Sequence, residues 1–250
     1  MSRDSTASHP TAPDSIGGPG TGGSRHPARG SRAPRTPILV GGAAALVVSL
    51  LIFGAIAEDV REQEANALDG MMTPLLHDLA SPGLDALMNG LTTMGSTLVV
   101  IALFVVATVL LVWRDHRREA LFLAVAIGGS VILDEALKLI FHRPRPQLSW
   151  AQVQPEYSFP SGHSMNSLVF YLALAIIVGR LWSPRAGLIA TILAIVLAVL
   201  IGTSRIYLGY HYFTDVVGGL FAGLAWLLLV SWVFDMGVVP VERAASVTPE

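Results

Sequence analysis

Long apolar runs separated by short polar gaps dominate this chain. Pro37 to Ala57 is a stretch of 21 residues without a charge, enough helix to cross a hydrocarbon layer of about 30 Å. Further runs extend from Gly95 to Trp113, from Ala120 to Phe141 and from Ser161 or His163 to Trp182. Two more extend from Ala186 to Gly202 and from Thr214 to Phe234. Because a bilayer leaves unpaired backbone groups no solvent, such runs predict helices. The expected fold is an all-α integral membrane protein, with six transmembrane helices in one bundle. The first run lies too deep in the chain, and is too long, for a cleaved signal peptide.

Residues 58–94 break this pattern. Asp59, Glu62, Glu64, Asp69, Asp78 and Asp85 are scattered among apolar positions. Leu68, Met71, Met72, Leu75 and Leu79 recur at helical spacing, and Leu84, Leu87, Met88 and Leu91 repeat it after Ser81-Pro82. Ser81 suits an N-cap and Pro82 a first helical position. The spacing predicts two short amphipathic helices between the first and second spans, lying at the membrane interface.

The two ends read differently again. Residues 1–36 are rich in Pro, Gly, Ser, Thr and Arg, too poor in large apolar side chains to offset the entropy of ordering. They are expected to be a disordered cytoplasmic tail, ahead of a six-span domain at 37–235 and a short cytoplasmic tail at 236–250. Composition supports the membrane assignment: 14% of residues are charged, against about 25% in globular domains. The absence of cysteine excludes disulfide and thiolate chemistry.

Charge also orients the chain. With the N-terminus inside, Arg114, Arg117, Arg118, Arg180, Arg185 and Arg243 join the five arginines of the tail on the cytoplasmic side. Arg61, Lys138, Arg143, Arg145 and Arg205 fall outside, a split of eleven to five that satisfies the positive-inside rule. Four of those five exceptions lie in two polar stretches that share the extracytoplasmic face.

These stretches, with a third beside them, carry the candidate chemistry. Lys138 to Pro146 ends the third run, Phe159-Pro160-Ser161-Gly162-His163 opens the fourth, and Ser204 to Asp215 fills the gap between the fifth and sixth. Ionisable residues at a membrane boundary are functional candidates. His211 and Asp215 are four apart, so on a helix the carboxylate can accept from one imidazole nitrogen and leave the other for a substrate. Lys138, Arg145 and Arg205 supply cations, and Ser161 and Gly162 lie at a helix N-terminus, where backbone amides attract anions. Guanidinium groups match phosphate oxygens. Three cations, helix-end amides and a hydroxyl suit a phosphate held through phosphoryl transfer. Taken singly, Arg145 or Arg205 would read as a snorkelling interfacial residue; the joint arrangement points to one site. Asp134 and Glu135 read as helix partners of Lys138, His142 and Arg143 as neighbours of the site, and the aromatics near His211 as interfacial.

Lys-x6-Arg-Pro, Pro-Ser-Gly-His and Ser-Arg-x5-His-x3-Asp, in this order, resemble the three motifs of the type 2 phosphatidic acid phosphatase (PAP2) superfamily, without a departure. The resemblance covers about residues 37–235. It implies that His211 attacks phosphorus and forms a phosphohistidine, that Asp215 orients His211, and that His163 protonates the leaving group and then activates water. It further implies that Lys138, Arg145, Ser161, Gly162 and Arg205 hold the phosphate oxygens, with no metal and no cofactor.

The expected function is a lipid phosphatase of a bacterial-type plasma membrane, acting at the extracytoplasmic face. Its expected partners are the bilayer and a phospholipid or polyprenyl diphosphate, with no nucleic acid. The resemblance implies the candidate substrates: undecaprenyl or another polyprenyl diphosphate leads, ahead of phosphatidylglycerol phosphate and phosphatidic acid. A phosphotransferase passing the group from His211 to another lipid would use the same residues. A catalytically silent lipid-binding scaffold would be expected to carry a broken motif, and six spans favour lipid access over haloperoxidase chemistry.

Overall fold

A computed structural model describes residues 36–62, 67–151 and 157–235. The expected tails lie outside the described residues except for Thr36, as do Glu64 and part of the loop before Phe159. Within them the chain forms α1 (Thr36–Arg61), α2 (Ala67–His77), α3 (Pro82–Met94), α4 (Thr97–Trp113), α5 (Arg117–Phe141), α6 (Gly162–Leu181), α7 (Pro184–Tyr207) and α8 (Phe213–Asp235). Among the described residues there is no strand.

Five of these helices, α1, α5, α6, α7 and α8, are each long and apolar enough to cross a membrane. The second apolar run differs from its expected form. It begins at Thr97, and α3 and α4 qualify only as a pair bent by 48°. The cause is local. The Gly95 N–H closes α3 on the carbonyl of Thr92 at 3.1 Å, and Ser96 starts α4 by accepting from the Val99 amide at 3.4 Å. The caps read for α3 are present, with Pro82 in its first turn and Ser81 accepting from the Leu84 amide at 3.4 Å.

The fifth run is also longer than its apolar stretch, continuing through Thr203, Ser204 and Arg205 to Tyr207. Thr203 and Ser204 bond back to the carbonyls of Val199 at 2.9 Å and Ile201 at 2.6 Å, so their hydroxyls are satisfied without ending the helix. Arg205 therefore sits on the last helical turn rather than in a loop. α5 likewise starts at Arg117 instead of Ala120.

α6 is the centre of the bundle. Its Leu168, Val169, Phe170, Leu172 and Ala173 are buried against Phe122, Leu123 and Ala126 of α5, Ala194 and Ala198 of α7, and Leu227, Val230 and Phe234 of α8. Long apolar side chains such as Leu98, Ile132 and Leu193 point outward, as lipid rather than water would require. Polar links also cross the bundle. Trp226 donates to the Ala126 carbonyl at 2.8 Å, and Ser130 donates to Asn166 Oδ1 at 2.5 Å. At one end Arg180 pairs with Asp235 at 2.7 Å. The opposite end gathers the C-terminal turns of α5 and α7 and the N-terminal turns of α6 and α8. There the Ser161 amide donates to the Asp215 carbonyl at 3.0 Å, tying the start of α6 directly to the start of α8. Phe159 stacks on Phe53 of α1 at 5.8 Å and meets Phe141 of α5 edge-on at 4.9 Å, which fixes the segment just before Ser161.

Candidate active site

All eight expected site residues fall at this end. Lys138, on the last turn of α5, is buried and bonds Asp134 Oδ2 at 3.2 Å and Glu135 Oε1 at 3.1 Å, the two partners its helical spacing named. His142 ends α5 in a left-handed conformation with φ 47°, and the chain turns into Arg143-Pro144-Arg145-Pro146. Gly162 opens α6 beside Asp134; a Cβ there would lie 2.4 Å from Asp134 Oδ2. Ser161 occupies the N-cap position but makes no side-chain cap bond, and its hydroxyl accepts from Ser164 at 3.0 Å. Ser161 thus stands at the helix N-terminus, as its place in the sequence implies, without its side chain capping α6. His163, on the first turn of α6, lies within electrostatic reach of Arg205, His211, Lys138 and Arg145.

The turn after α7 is built by Gly209, whose φ of 75° only glycine adopts without strain. It folds the Tyr210 amide back onto the Arg205 carbonyl at 3.0 Å and sets the Tyr210 ring under the Arg205 guanidinium at 4.3 Å. Arg205 also donates to Thr92 of α3 at 2.8 Å. His211 follows, only 2% exposed. Its Nδ1 is 2.9 Å from the Ser158 carbonyl oxygen and 3.4 Å from Asp215 Oδ2. Neither group can donate, so Nδ1 carries the ring proton and Nε2 presents its lone pair. Arg145 Nη1 faces that nitrogen at 3.1 Å while donating to the Tyr210 carbonyl at 2.8 Å. Burial lowers the His211 pKa to about 4, with Arg205 and Arg145 adding to the effect and Asp215 opposing it. This favours the neutral form of the ring at pH 7.

Asp215 is fully buried. It accepts from Arg143 Nη1 at 2.5 Å, from the Tyr212 amide at 2.9 Å and from the Ser158 hydroxyl. The Tyr212 bond is the reach-back of an acidic third residue to the start of its helix. Pairing of Asp215 with His211 is thus present but longer than expected; the closer Nδ1 acceptor is Ser158. Arg143 extends the network, donating to Asp69 Oδ2 at 2.7 Å and to Thr214 Oγ1 at 2.8 Å. Burial disfavours its charge, but Asp215 and Asp69 outweigh this and hold the guanidinium above its ordinary range.

Ser158, Asp69, Thr92 and Thr214 were not singled out by sequence. Ser158 acts mainly through a backbone carbonyl, which has no residue-type signal. Asp69 is one of several carboxylates in 58–94, and only its position opposite the apolar row of α2 sets it apart. Among the described residues no group of three or more His, Asp or Glu side chains is arranged to hold a metal ion.

Residues 119–237 match the PAP2 superfamily. The chain is 31% identical over 186 residues to phosphatidylglycerophosphatase B of Bacillus subtilis, covering 73% of this chain and 92% of that protein. The chain belongs to the PAP2 superfamily. It is also 33% identical over 126 residues to the putative undecaprenyl-diphosphatase YbjG of Escherichia coli, covering 47% of this chain and 59% of that relative. Among solved structures it resembles the transmembrane PAP2 type phosphatidylglycerolphosphate phosphatase from Bacillus subtilis. The TM-score is 0.70 at 30% identity, over 79% of this chain and 98% of that one. These relatives of the PAP2 chain are membrane lipid phosphatases, and its own apolar helices make it a multi-pass membrane protein.

Proposed function

We propose that this PAP2 chain is a lipid phosphatase working through a phosphohistidine on His211, on the extracytoplasmic side of a plasma membrane. The observation that carries the reading is the pair of acceptors at His211 Nδ1, which leaves the Nε2 lone pair facing Arg145. The lone pair attacks phosphorus in line with the lipid-side oxygen, the P–O bond breaks, and His163, kept protonated by the negative charge of the bound phosphate, gives its proton to the leaving oxygen. Neutral His163 then takes a proton from water, the water oxygen bonds phosphorus, and the N–P bond breaks to release phosphate. Lys138, Arg145, Arg205, the Ser161 hydroxyl and the Gly162 amide hold the phosphate oxygens. These cations supply the charge stabilisation that a divalent metal would otherwise provide.

In this reading α3 joins α4 in one bent span instead of lying at the interface as its spacing suggested, giving six across residues 37–235, with both tails cytoplasmic as the arginine distribution favours. α2 lies at the interface. Its exposed residues include Leu68, Met71 and Leu75 while its buried ones are Asp69 and Thr73, the arrangement of a helix whose apolar face meets lipid. Near-complete coverage of the Bacillus subtilis relative supports phosphatidylglycerol phosphate as the first substrate to test, with undecaprenyl diphosphate and phosphatidic acid beside it. Purified protein is expected to release phosphate from one of these lipids in EDTA, to be inhibited by vanadate, and to yield an acid-labile, base-stable phosphoenzyme on quenching. Loss of turnover on chelation would exclude metal independence, and near-normal turnover by His211→Ala would exclude the phosphohistidine.

A further inference from the structure

The two arginines of Arg143-Pro144-Arg145-Pro146 do different things. Arg145 faces His211 Nε2, the side on which phosphorus would sit. Arg143 faces the opposite side. Its Nη1 bonds Asp215 and Thr214, its Nη2 bonds Asp69, and its guanidinium lies 4.2 Å over the Tyr212 ring. Both terminal nitrogens are engaged by protein groups, and its side chain is 14% exposed. Asp69, contributed by α2, holds this assembly from behind. Its Oδ1 accepts from the Thr214 amide at 2.8 Å, and its Oδ2 accepts from the Thr214 hydroxyl at 2.7 Å as well as from Arg143. It thereby caps α8 from another helix, satisfying a first-turn amide that has no partner within α8.

We propose that Asp69 and Arg143 are positioning residues that act on the reaction through Asp215 and His211, and that they do not bind the substrate phosphate. This rests on the reading of His211 as nucleophile. Arg143 fixes one oxygen of Asp215 while Ser158 and the Tyr212 amide fix the other. Asp69 anchors Arg143 and the Thr214 turn that carries Asp215. The Ser158 carbonyl and Asp215 then determine where the Nε2 lone pair points. Withdrawing Asp69 or Arg143 would let the imidazole drift relative to phosphorus without touching the clamp formed by Lys138, Arg145 and Arg205.

The test is steady-state phosphate release from the lipid that the wild type hydrolyses, with competitive inhibition by inorganic phosphate as a separate measure of the clamp. For Asp69→Asn and Arg143→Ala, kcat should fall about 10- to 100-fold, the scale of misplacing a reacting group by an ångström, while KM and the phosphate inhibition constant stay within about 3-fold. Arg143→Lys keeps a cation but offers it from one nitrogen, where Arg143 spreads its contacts over two, so it should recover only part of the loss. The double variant should lose little more than the worse single, because both act through one assembly. Should Arg143→Ala not accumulate as folded protein, Asp69→Asn and Arg143→Lys carry the same comparison. Near-normal kcat in these variants, or a weakened phosphate inhibition that matches the loss of activity, would overturn the proposal. His211→Ala runs beside them. If it is inactive while the Asp69 and Arg143 variants turn over normally, only the positioning role fails. If it stays active, the nucleophile assignment itself fails.

Discussion

Arg145 Nη1 and His211 Nε2 lie 3.1 Å apart, a donor aimed at the nitrogen that carries the lone pair. A phosphate arriving at Nε2 would meet the guanidinium at once, so Arg145 can bind the group and stabilise the charge that develops as it transfers. Arg145→Ala should lower kcat/KM by about 100- to 1,000-fold, the usual effect of losing one transition-state donor. Arg145→Lys should recover part of it, because an ammonium keeps the charge but not the planar fork. Steady-state hydrolysis by the two variants checks this, and full activity in either would remove Arg145 from the site.

The pH dependence follows from the surroundings of the same ring. Burial, reinforced by Arg205 and Arg145, lowers the His211 pKa from 6.5 to about 4. Activity that needs the neutral ring should persist well below pH 6.5 and fall as pH approaches about 4. Stability should move in the same direction. The unfolded chain binds the proton more readily, so acidification through that window favours unfolding, and the loss is complete once both states are protonated. Arg145→Ala removes one of the lowering charges, and the acid limb of its residual activity should shift upward. A limb left in place would show that Arg145 does not set the charge state of His211.

Much of this site was legible because its spacing is carried by residue types with few alternatives. Lys138, Arg145, Ser161, Gly162, His163, Arg205, His211 and Asp215 all fall at one end of the bundle, as the alternation of apolar runs requires. What surrounds His211 was not legible. Ser158 holds Nδ1 with a backbone oxygen, which any residue could supply. Asp69 lies far along the chain from Asp215 and reaches it through Arg143 and the Thr214 turn, so no local pattern links them. Hydropathy alone also ends α7 too early, for a related reason. Hydropathy falls at Thr203, but its hydroxyl and that of Ser204 are paired inside the helix, so polarity there does not mean a loop.

Gly162 offers a steric test. A methyl group there would lie 2.4 Å from Asp134 Oδ2, the oxygen bonded to Lys138. Gly162→Ala should therefore displace the Asp134 carboxylate, disturb Lys138 and the start of α6, and destabilise the protein by about 1–3 kcal/mol, the usual cost of overpacking. Combining it with Asp134→Ala removes the clashing atom, so the double variant should regain thermal stability relative to the sum of the two single losses. Additive unfolding midpoints in detergent would show that the clash is not the cause.

The proposed sidedness can be read without background labelling, because the chain has no cysteine. Trp150 and Tyr157 lie in the loop after α5, on the site end, and both are exposed. Asp115 lies between α4 and α5 at the other end, and it too is exposed, with a side chain 74% accessible. Single substitutions Trp150→Cys, Tyr157→Cys and Asp115→Cys therefore place one thiol at each boundary in turn. In intact cells whose outer barrier has been opened, a membrane-impermeant maleimide should label the first two, and should label Asp115→Cys only after the plasma membrane is permeabilised. The positive-inside argument requires this order, since Arg114, Arg117 and Arg118 flank Asp115. Arg143, Arg145 and Arg205, which run against the rule, lie instead on the site end, where carboxylates, backbone carbonyls or Thr92 engage them. The opposite labelling order would put the proposed site in the cytoplasm and would leave the arginine distribution without a topological cause.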